Sequence, residues 1–453
     1  MEGFCATNKT EMLKKIFGTF GTRFLNAICG FVTLWFGSHY LGDEAWGVGG
    51  IVLLDVSLLL IGVEFLAGSG LIYFTPRKSF RTLFKISYIW SALIVAFYAL
   101  MMYLFSFVPD SFSQHLAKFF GESAEFIPQG YHGMVLLLVF IYSLHNFNLN
   151  TMLGKERVGT NNLLFIIQFM TQMCSMLVYI FVFDIRDANA FVYSLLTGYI
   201  VGYLCGLTQI WPYLKEKGDD SVWQTIKEMF RFGSIIQLST LVSTLNKRLS
   251  FLIIKGFWGD AQVGVFNAAS QVSESPKMIG NSIAMVQFSK LSNLTDSDLA
   301  AKITVQLLKT ATVLTAICIF IICIIPTSVY SWVFTSNFAA MRAVMVALAP
   351  GIVFMAAHTV FCHYFSGVNM PKHNLYAALV GLAVTIPSLY LLIPPFGMVG
   401  AGISASLTNL ALIIYQWIVF KKITKISAKE LLVTKEDVRM LVLELKEMLN
   451  KRQ

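Results

Sequence analysis

The sequence predicts an all-α polytopic membrane protein: about twelve transmembrane helices, arranged as two pseudo-symmetric six-helix bundles around a central cavity. Three observations predict it. Charged residues make up 13% of the chain against 56% hydrophobic, about half the charge that covers a soluble globular surface, and the mean hydropathy is +0.67. Apolar runs long enough to cross a bilayer, roughly 17–25 residues each, recur from Ile16 to Phe420 with short gaps. Short motifs also repeat, in order, between the two halves of the chain.

The elements follow in chain order. A cytoplasmic N-terminal segment, 1–15, carries Lys9, Lys14 and Lys15 ahead of the first span, 16–41. Those lysines look like a signal-peptide n-region, but the run is longer than an h-region and no A-x-A-like site follows it, so it reads as a retained helix. Spans two to six are expected at 47–74, 84–107, 131–153, 161–183 and 190–212, completing an N-terminal bundle over 16–214. A polar segment, 215–231, reads as a cytoplasmic linker. The C-terminal bundle, 232–421, holds spans at 232–257, 262–288, 303–325, 340–366, 374–393 and 397–420. In the tail, 422–453, Thr434-x-x-Asp437 resembles a capping box. Val438, Leu441, Val442, Leu445 and Leu449 then recur at helical spacing, as in a cytoplasmic amphipathic helix. In the outside segment 108–130, Phe112, Leu116, Phe119 and Phe120 fit a short interfacial helix.

Lys and Arg set the orientation. With the N-terminus inside, alternate segments collect the cations, as in Arg77, Lys78, Arg81 and Lys85, or Lys215, Lys217, Lys227 and Arg231. The opposite segments hold only Lys118, Arg186 and Lys255. Both ends are therefore expected in the cytoplasm, and the net charge of +9 reflects topology rather than a nucleic-acid partner. The seven cysteines form no C-x-x-C pair, so no disulfide or metal framework and no cofactor is indicated. G-x-x-x-x-G-K-[ST], H-E-x-x-H and G-x-S-x-G are all absent, which excludes ATP hydrolysis at a P-loop and those hydrolase chemistries.

Gly42-Asp43-x-x-x-Gly47-Val48 recurs in the second half as Gly259-Asp260-x-x-x-Gly264-Val265. Gly154 and Asn161 recur, at nearly the same displacement, as Gly367 and Asn374, and Phe17-Gly18 pairs with Phe232-Gly233. Six spans separate the equivalents, so the halves share an orientation. That places a pseudo-two-fold axis along the membrane normal, a transporter arrangement.

Ionisable groups in spans are costly and mark cavities or partners. Arg23 lies in span one, Lys247 and Arg248 in span seven, and Lys277 in span eight. Guanidinium forks and ammonium point charges suit an anionic head group. Asp55, Glu64, Glu274 and His358 are candidates for taking up a coupling ion. Plainer readings stand beside these: Glu274 and Lys277, three apart, pair on one helix face. Asp55 and Glu64 balance cations on neighbouring helices, Lys247 and Arg248 snorkel, and His145, His358 and His363 pack through hydrogen bonds. Pro276, Pro350-Gly351, Pro387 and Pro394-Pro395 interrupt helices of the second half, which is tolerated where neighbours re-satisfy the backbone.

Taken with Phe20-Gly21-x-Arg23, Tyr40-Leu41-Gly42-Asp43-x-x-x-Gly47, Leu245-Asn246-Lys247-Arg248 and Gly397-Met398-Val399-Gly400-Ala401-Gly402, the chain resembles a known family over about residues 12–422. That family is the polysaccharide (O-antigen-type, Wzx-like) flippases of the multidrug/oligosaccharidyl-lipid/polysaccharide exporter superfamily. Many relatives have an acidic residue where Lys247 stands, so this site is the more cationic. The resemblance implies translocation of an undecaprenyl-diphosphate-linked oligosaccharide from the cytoplasmic to the periplasmic leaflet of a bacterial inner membrane, for polysaccharide, lipopolysaccharide or O-antigen biosynthesis. It also implies membrane lipids and the polymerase and chain-length machinery as partners, and no enzymatic activity. The alternatives are a multidrug or organic-cation exporter of the same superfamily, a peptidoglycan-precursor flippase, and a membrane glycosyltransferase or polymerase.

Overall fold

The computed structural model describes residues 2–105, 130–215, 220–258, 260–294, 296–329, 340–427 and 430. The interfacial helix expected within 108–130 and the amphipathic helix expected from Thr434 lie outside them. Every regular element among these residues is helical. Eight of the helices are long and apolar enough to cross a membrane.

The first half comprises α1 (Glu2–Tyr40), α2 (Gly42–Ala67), α3 (Gly70–Phe74), α4 (Phe80–Phe105), α5 (His132–Gly154), α6 (Val158–Phe181) and α7 (Ala188–Ile210). The second comprises α8 (Val222–Trp258), α9 (Asp260–Glu274), α10 (Lys277–Asn293), α11 (Ser297–Ile324), α12 (Met341–Gly367) and α13 (Lys372–Thr424). The pairs α2–α3 and α9–α10 each form one broken passage, interrupted at Gly68-Ser69 and Ser275-Pro276. The run α13 is two passages joined at a kink. Counted so, the helices correspond one to one with the twelve spans read from hydropathy. The passages least apolar in composition, α1, α8 and α9–α10, are those that carry Arg23, Lys247 and Lys277.

The chain forms two compact units, Gly21–Ser234 and Ile235–Gln453 together with Met1–Phe20. Much of the segment read as a linker is the start of α8 and is fastened within the N-terminal unit. The Asp220 carboxylate accepts from the Ser79 amide, Lys78 pairs with Glu228 at 2.8 Å, and Phe232 stacks on Tyr73 with ring centroids 5.1 Å apart.

Inside the N-terminal unit, Val52 and Val56 of α2 pack with Leu138, Met176, Ile180 and Phe191. The polar side chains of α5 and α6 are accommodated by a glycine stripe on α7. A Cβ at Gly202 would stand 2.8 Å from the His145 ring, and one at Gly206 would stand 2.9 Å from the Asn148 Cβ. Small residues at this spacing let helix backbones approach closely. His145 is fully buried, with Nε2 3.2 Å from Gln168 Oε1, and Asn148 Nδ2 donates to the Tyr203 carbonyl at 3.1 Å.

The C-terminal unit buries Ile254, Phe266, Met345, Leu389 and Ile393 and repairs its proline breaks with side chains. At Pro350-Gly351 the Gly351 amide donates to Ser406 Oγ at 3.0 Å, and that hydroxyl donates to the Ala347 carbonyl at 2.7 Å. The hydroxyl is thus inserted into the broken i→i−4 step, a recognised cause of a kink. At the end of the first arm of α13, Gly397 has φ 57°. The Ile393 carbonyl beside this break accepts from the Trp258 indole at 3.0 Å.

The internal repeat is visible as matching hydrogen bonds. Asn161 Nδ2 donates to the Leu149 carbonyl at 3.0 Å, and Asn374 Nδ2 donates to the Cys362 carbonyl at 2.9 Å; donor and acceptor are shifted along the chain by the same amount. Glu156 and Asn369, in the same relation, have φ of 57° and 61°. The flanking bonds Arg157 N to Met152 O and Met370 N to Phe365 O also coincide.

Candidate functional site

The ionisable residues singled out from the sequence fall into two groups, one in each unit. In the C-terminal unit, α8 carries Lys247 and α9 ends at Glu274. Pro276, which lacks an amide hydrogen, ends that helix, and Lys277 opens α10. Lys247 Nζ donates to both Glu274 oxygens, at 2.7 and 2.8 Å. Lys277 Nζ stands 3.8 Å from Glu274 Oε2, within ion-pair range but beyond hydrogen-bond distance. The two lysines also repel one another, and Lys277 acts electrostatically on His358. The i,i+3 pair expected from spacing is therefore the weaker half of a three-residue cluster whose tight contact runs between helices. With two ammonium groups against one carboxylate, the cluster carries one net positive charge.

Lys247 and Glu274 line a cavity of about 320 Å³ within this unit. Its wall continues with His358 of α12 and Asn409 of α13, and Phe251 and Phe266 close an apolar side in edge-to-face contact, centroids 5.4 Å apart. His358 Nδ1 lies 2.8 Å from Gln416 Oε1, and the Gln416 amide donates to Cys362 Sγ at 3.3 Å. With the amide so oriented, Nδ1 carries the histidine proton. Thr385 and Thr408, also on the wall, share a hydroxyl–hydroxyl bond of 2.7 Å between the two arms of α13. The cavity therefore sets the Lys247–Glu274 pair, amides and hydroxyls against an apolar wall of Phe251, Phe266, Leu348, Ile352, Met355 and Leu412. That chemistry suits an amphipathic ligand with a charged or hydroxylated end.

In the N-terminal unit the Arg23 guanidinium lies over the Phe165 ring, 4.0 Å from its centroid. Tyr142 lies within the electrostatic reach of both Arg23 and Glu64 and packs edge-on against Tyr199 at 5.0 Å. Asp55 is 6% exposed, and among the described residues its Oδ2 has no hydrogen-bond partner. Arg248 lies on α8; its side chain is outside the described residues.

The structure thus groups Lys247, Glu274, Lys277 and His358, and groups Arg23 with Glu64. Sequence reasoning missed Tyr142, Phe165, Asn409 and Gln416. For the last two a signal existed: Asn409 and Gln416 are seven apart in an apolar span, so they share one helical face.

Residues 41–343 match the model of a family described as polysaccharide biosynthesis protein. The probable low-salt glycan biosynthesis flippase Agl15 of Haloferax volcanii is 22% identical over 275 residues, 60% of this chain. The match spans 57% of that relative's length. The fold is similar to that of the Vibrio cholerae MATE transporter VcmN in its bent form, with TM-score 0.75 and 14% identity, over 92% of this chain and 98% of that one. It is also similar to a multidrug resistance MATE family transporter of the MOP superfamily in an outward-facing conformation. There the TM-score is 0.73 and the identity 13%, over 91% of this chain and 95% of that one. At these identities the likeness is one of fold: twelve helices in two bundles.

Proposed function

The chain belongs to the polysaccharide biosynthesis protein family, and from that premise we propose that it is a flippase for a lipid-linked oligosaccharide. The substrate is a glycan on a polyprenyl diphosphate, undecaprenyl diphosphate in a bacterial inner membrane, moved from the cytoplasmic to the opposite leaflet. The N- and C-termini lie on the cytoplasmic side, as the distribution of Lys and Arg favours. The observation that carries the reading is the cluster at the C-terminal cavity, Lys247 and Glu274 on its wall with Lys277 beside Glu274, within a family of polysaccharide biosynthesis proteins. A diphosphate needs such cations, whereas a helix facing only lipid would not keep them. The Haloferax volcanii relative, described as a glycan biosynthesis flippase, supports the same activity.

In this proposal Lys247, Lys277, Arg248 and Arg23 serve the anionic head group. Asp55, Glu64, Glu274 and His358 serve ion coupling, and the polymerase and chain-length machinery receives the product.

The test is reconstitution of the full chain in vesicles with a fluorescent polyprenyl-diphosphate oligosaccharide. Loss of leaflet asymmetry faster than in protein-free vesicles is expected, and a rate equal to that of the empty vesicles overturns the proposal. The fold shared with multidrug transporters favours a second reading, an organic-cation exporter. The net positive charge of the Lys247–Glu274–Lys277 cluster at the cavity edge opposes it, and efflux of ethidium by the same vesicles without glycolipid movement decides for it.

A further inference from the structure

The Lys247–Glu274 contact is more than a helix-to-helix tie. Both carboxylate oxygens lie on one Nζ at 2.7 and 2.8 Å, in the place a phosphate or carboxylate of a ligand would take on a lysine. The same carboxylate is the nearest counter-charge to Lys277, at 3.8 Å. One side chain therefore covers Lys247 on the cavity wall and Lys277 beside it. Glu274 is also the last residue of α9, beside the Ser275-Pro276 break, so its side chain can turn away without opening a helix interior. A cavity of about 320 Å³ adjoins it, at the lower end of ligand pockets. That is room for a small charged head group or one sugar ring rather than a whole oligosaccharide.

We infer that Glu274 is the resident anion of an exchange site: an oxyanion of the substrate binds Lys247 and Lys277 by displacing the Glu274 carboxylate, and the returning carboxylate expels it. The Lys247–Glu274–Lys277 cluster then carries one net positive charge with Glu274 in place and two with it displaced, so affinity is created by the exchange and removed when it reverses. Glu274 is in this sense a specificity-determining residue. It holds off weak anions and lets go of the cargo after the move. The ligand chemistry is an oxyanion carried by the lipid-linked glycan, from its phosphate head group or from an acidic sugar. That assignment of the ligand to the cargo rests on the flippase reading; the exchange itself does not.

The experiment titrates the purified full chain in detergent with inorganic pyrophosphate and, separately, with glucuronate, by calorimetry. Glu274→Gln keeps the shape of the side chain and removes its charge. It is expected to tighten binding of at least one probe by about tenfold or more, given the strength of a unit charge at this separation in a half-buried site. Which probe responds identifies the head group or the acidic sugar as the source. Adding Lys247→Ala to Glu274→Gln is expected to cancel the gain. In vesicles Glu274→Gln is expected to slow glycolipid turnover several-fold through slow release. Unchanged or weaker binding of both probes in folded Glu274→Gln overturns the exchange site, because a purely structural ion pair predicts that result. Should Glu274→Gln fail to fold, Glu274→Asp, one methylene short of the bidentate contact, must show a smaller gain; no gain overturns the inference. Tightened binding without flipping in the vesicles removes the flippase reading alone, whereas flipping with flat affinities removes the exchange site alone.

Discussion

His145 and His358 occupy equivalent positions in span four and span ten, related by the same shift as Asn161 and Asn374, and meet opposite surroundings. His145 is fully buried, held by Gln168 and covered by Gly202, where no Cβ fits. His358 faces an open cavity and is held from behind by Gln416. Around these histidines the N-terminal unit packs polar side chains helix to helix, while the C-terminal unit keeps a hollow with Lys247 and Glu274 on its wall. Duplication therefore supplied the scaffold, down to the Asn161 and Asn374 hydrogen bonds. What each half does around its histidine was set by the neighbouring side chains: Gln168 and Gly202 close over His145, while Gln416 holds His358 at the cavity wall.

The largest test of that contrast is steric. Gly202→Val drives side-chain carbons into the His145 ring and is expected to cost about 3 kcal/mol. Ser250→Val, on the cavity wall of the other unit, adds its carbons beside the hollow and is expected to cost under about 1.5 kcal/mol. Melting curves of the two purified variants check the pair, and equal losses would break the distinction between the closed surround of His145 and the open one of His358.

Next comes a division between stability and transport. Lys247→Ala removes one of the charges proposed to bind the head group and is expected to lower glycolipid flipping about tenfold or more. His145→Ala, which leaves Gln168 unpaired in a buried site, is expected to lower stability by about 1–3 kcal/mol with flipping per folded molecule kept. Flipping rates normalised to folded protein separate the two outcomes.

Smaller effects sharpen the repeat. Asn161→Ala and Asn374→Ala each remove a side-chain donor to a helical carbonyl, and each is expected to cost about 0.5–1.5 kcal/mol. The second should cost more, because Asn374 also donates to Ser366 Oγ at 3.1 Å. A loss in one variant and none in the other, read by thermal melting, would show that the matched loops are not matched in energy. The smallest effect is that of Phe165→Leu, which removes the face beneath Arg23 and is expected to cost about 0.5–1 kcal/mol.

Much of the fold was legible before any coordinates. Hydropathy located the helical passages found among the described residues, and the Gly154/Gly367 and Asn161/Asn374 matches located a loop whose hydrogen bonds coincide in both halves. The site was legible only as an inventory. Lys247, Glu274, Lys277 and His358 stood out because ionisable groups are rare in apolar runs. The spacing of Glu274 and Lys277 pointed to a pair along one helix, and the tighter pair runs to α8 instead. Asn409 and Gln416 went unremarked because neutral amides in a span carry little signal until a helix faces them. Pro350 announced a break, but nothing adjacent in sequence announces that Ser406, far along the chain, fills it.

By itself, then, the sequence determined how often the chain crosses the bilayer, which segments repeat, and which few charges had to find partners. Those properties are sums over contiguous residues, and transfer into lipid is governed by such sums. The tertiary structure alone decided which partner each charge found, which proline break a hydroxyl mended, and which bundle closed over its histidine. Those choices depend on how helices are rotated and how near they pack, and distances of a few ångströms between residues remote in the chain are no property of any single segment.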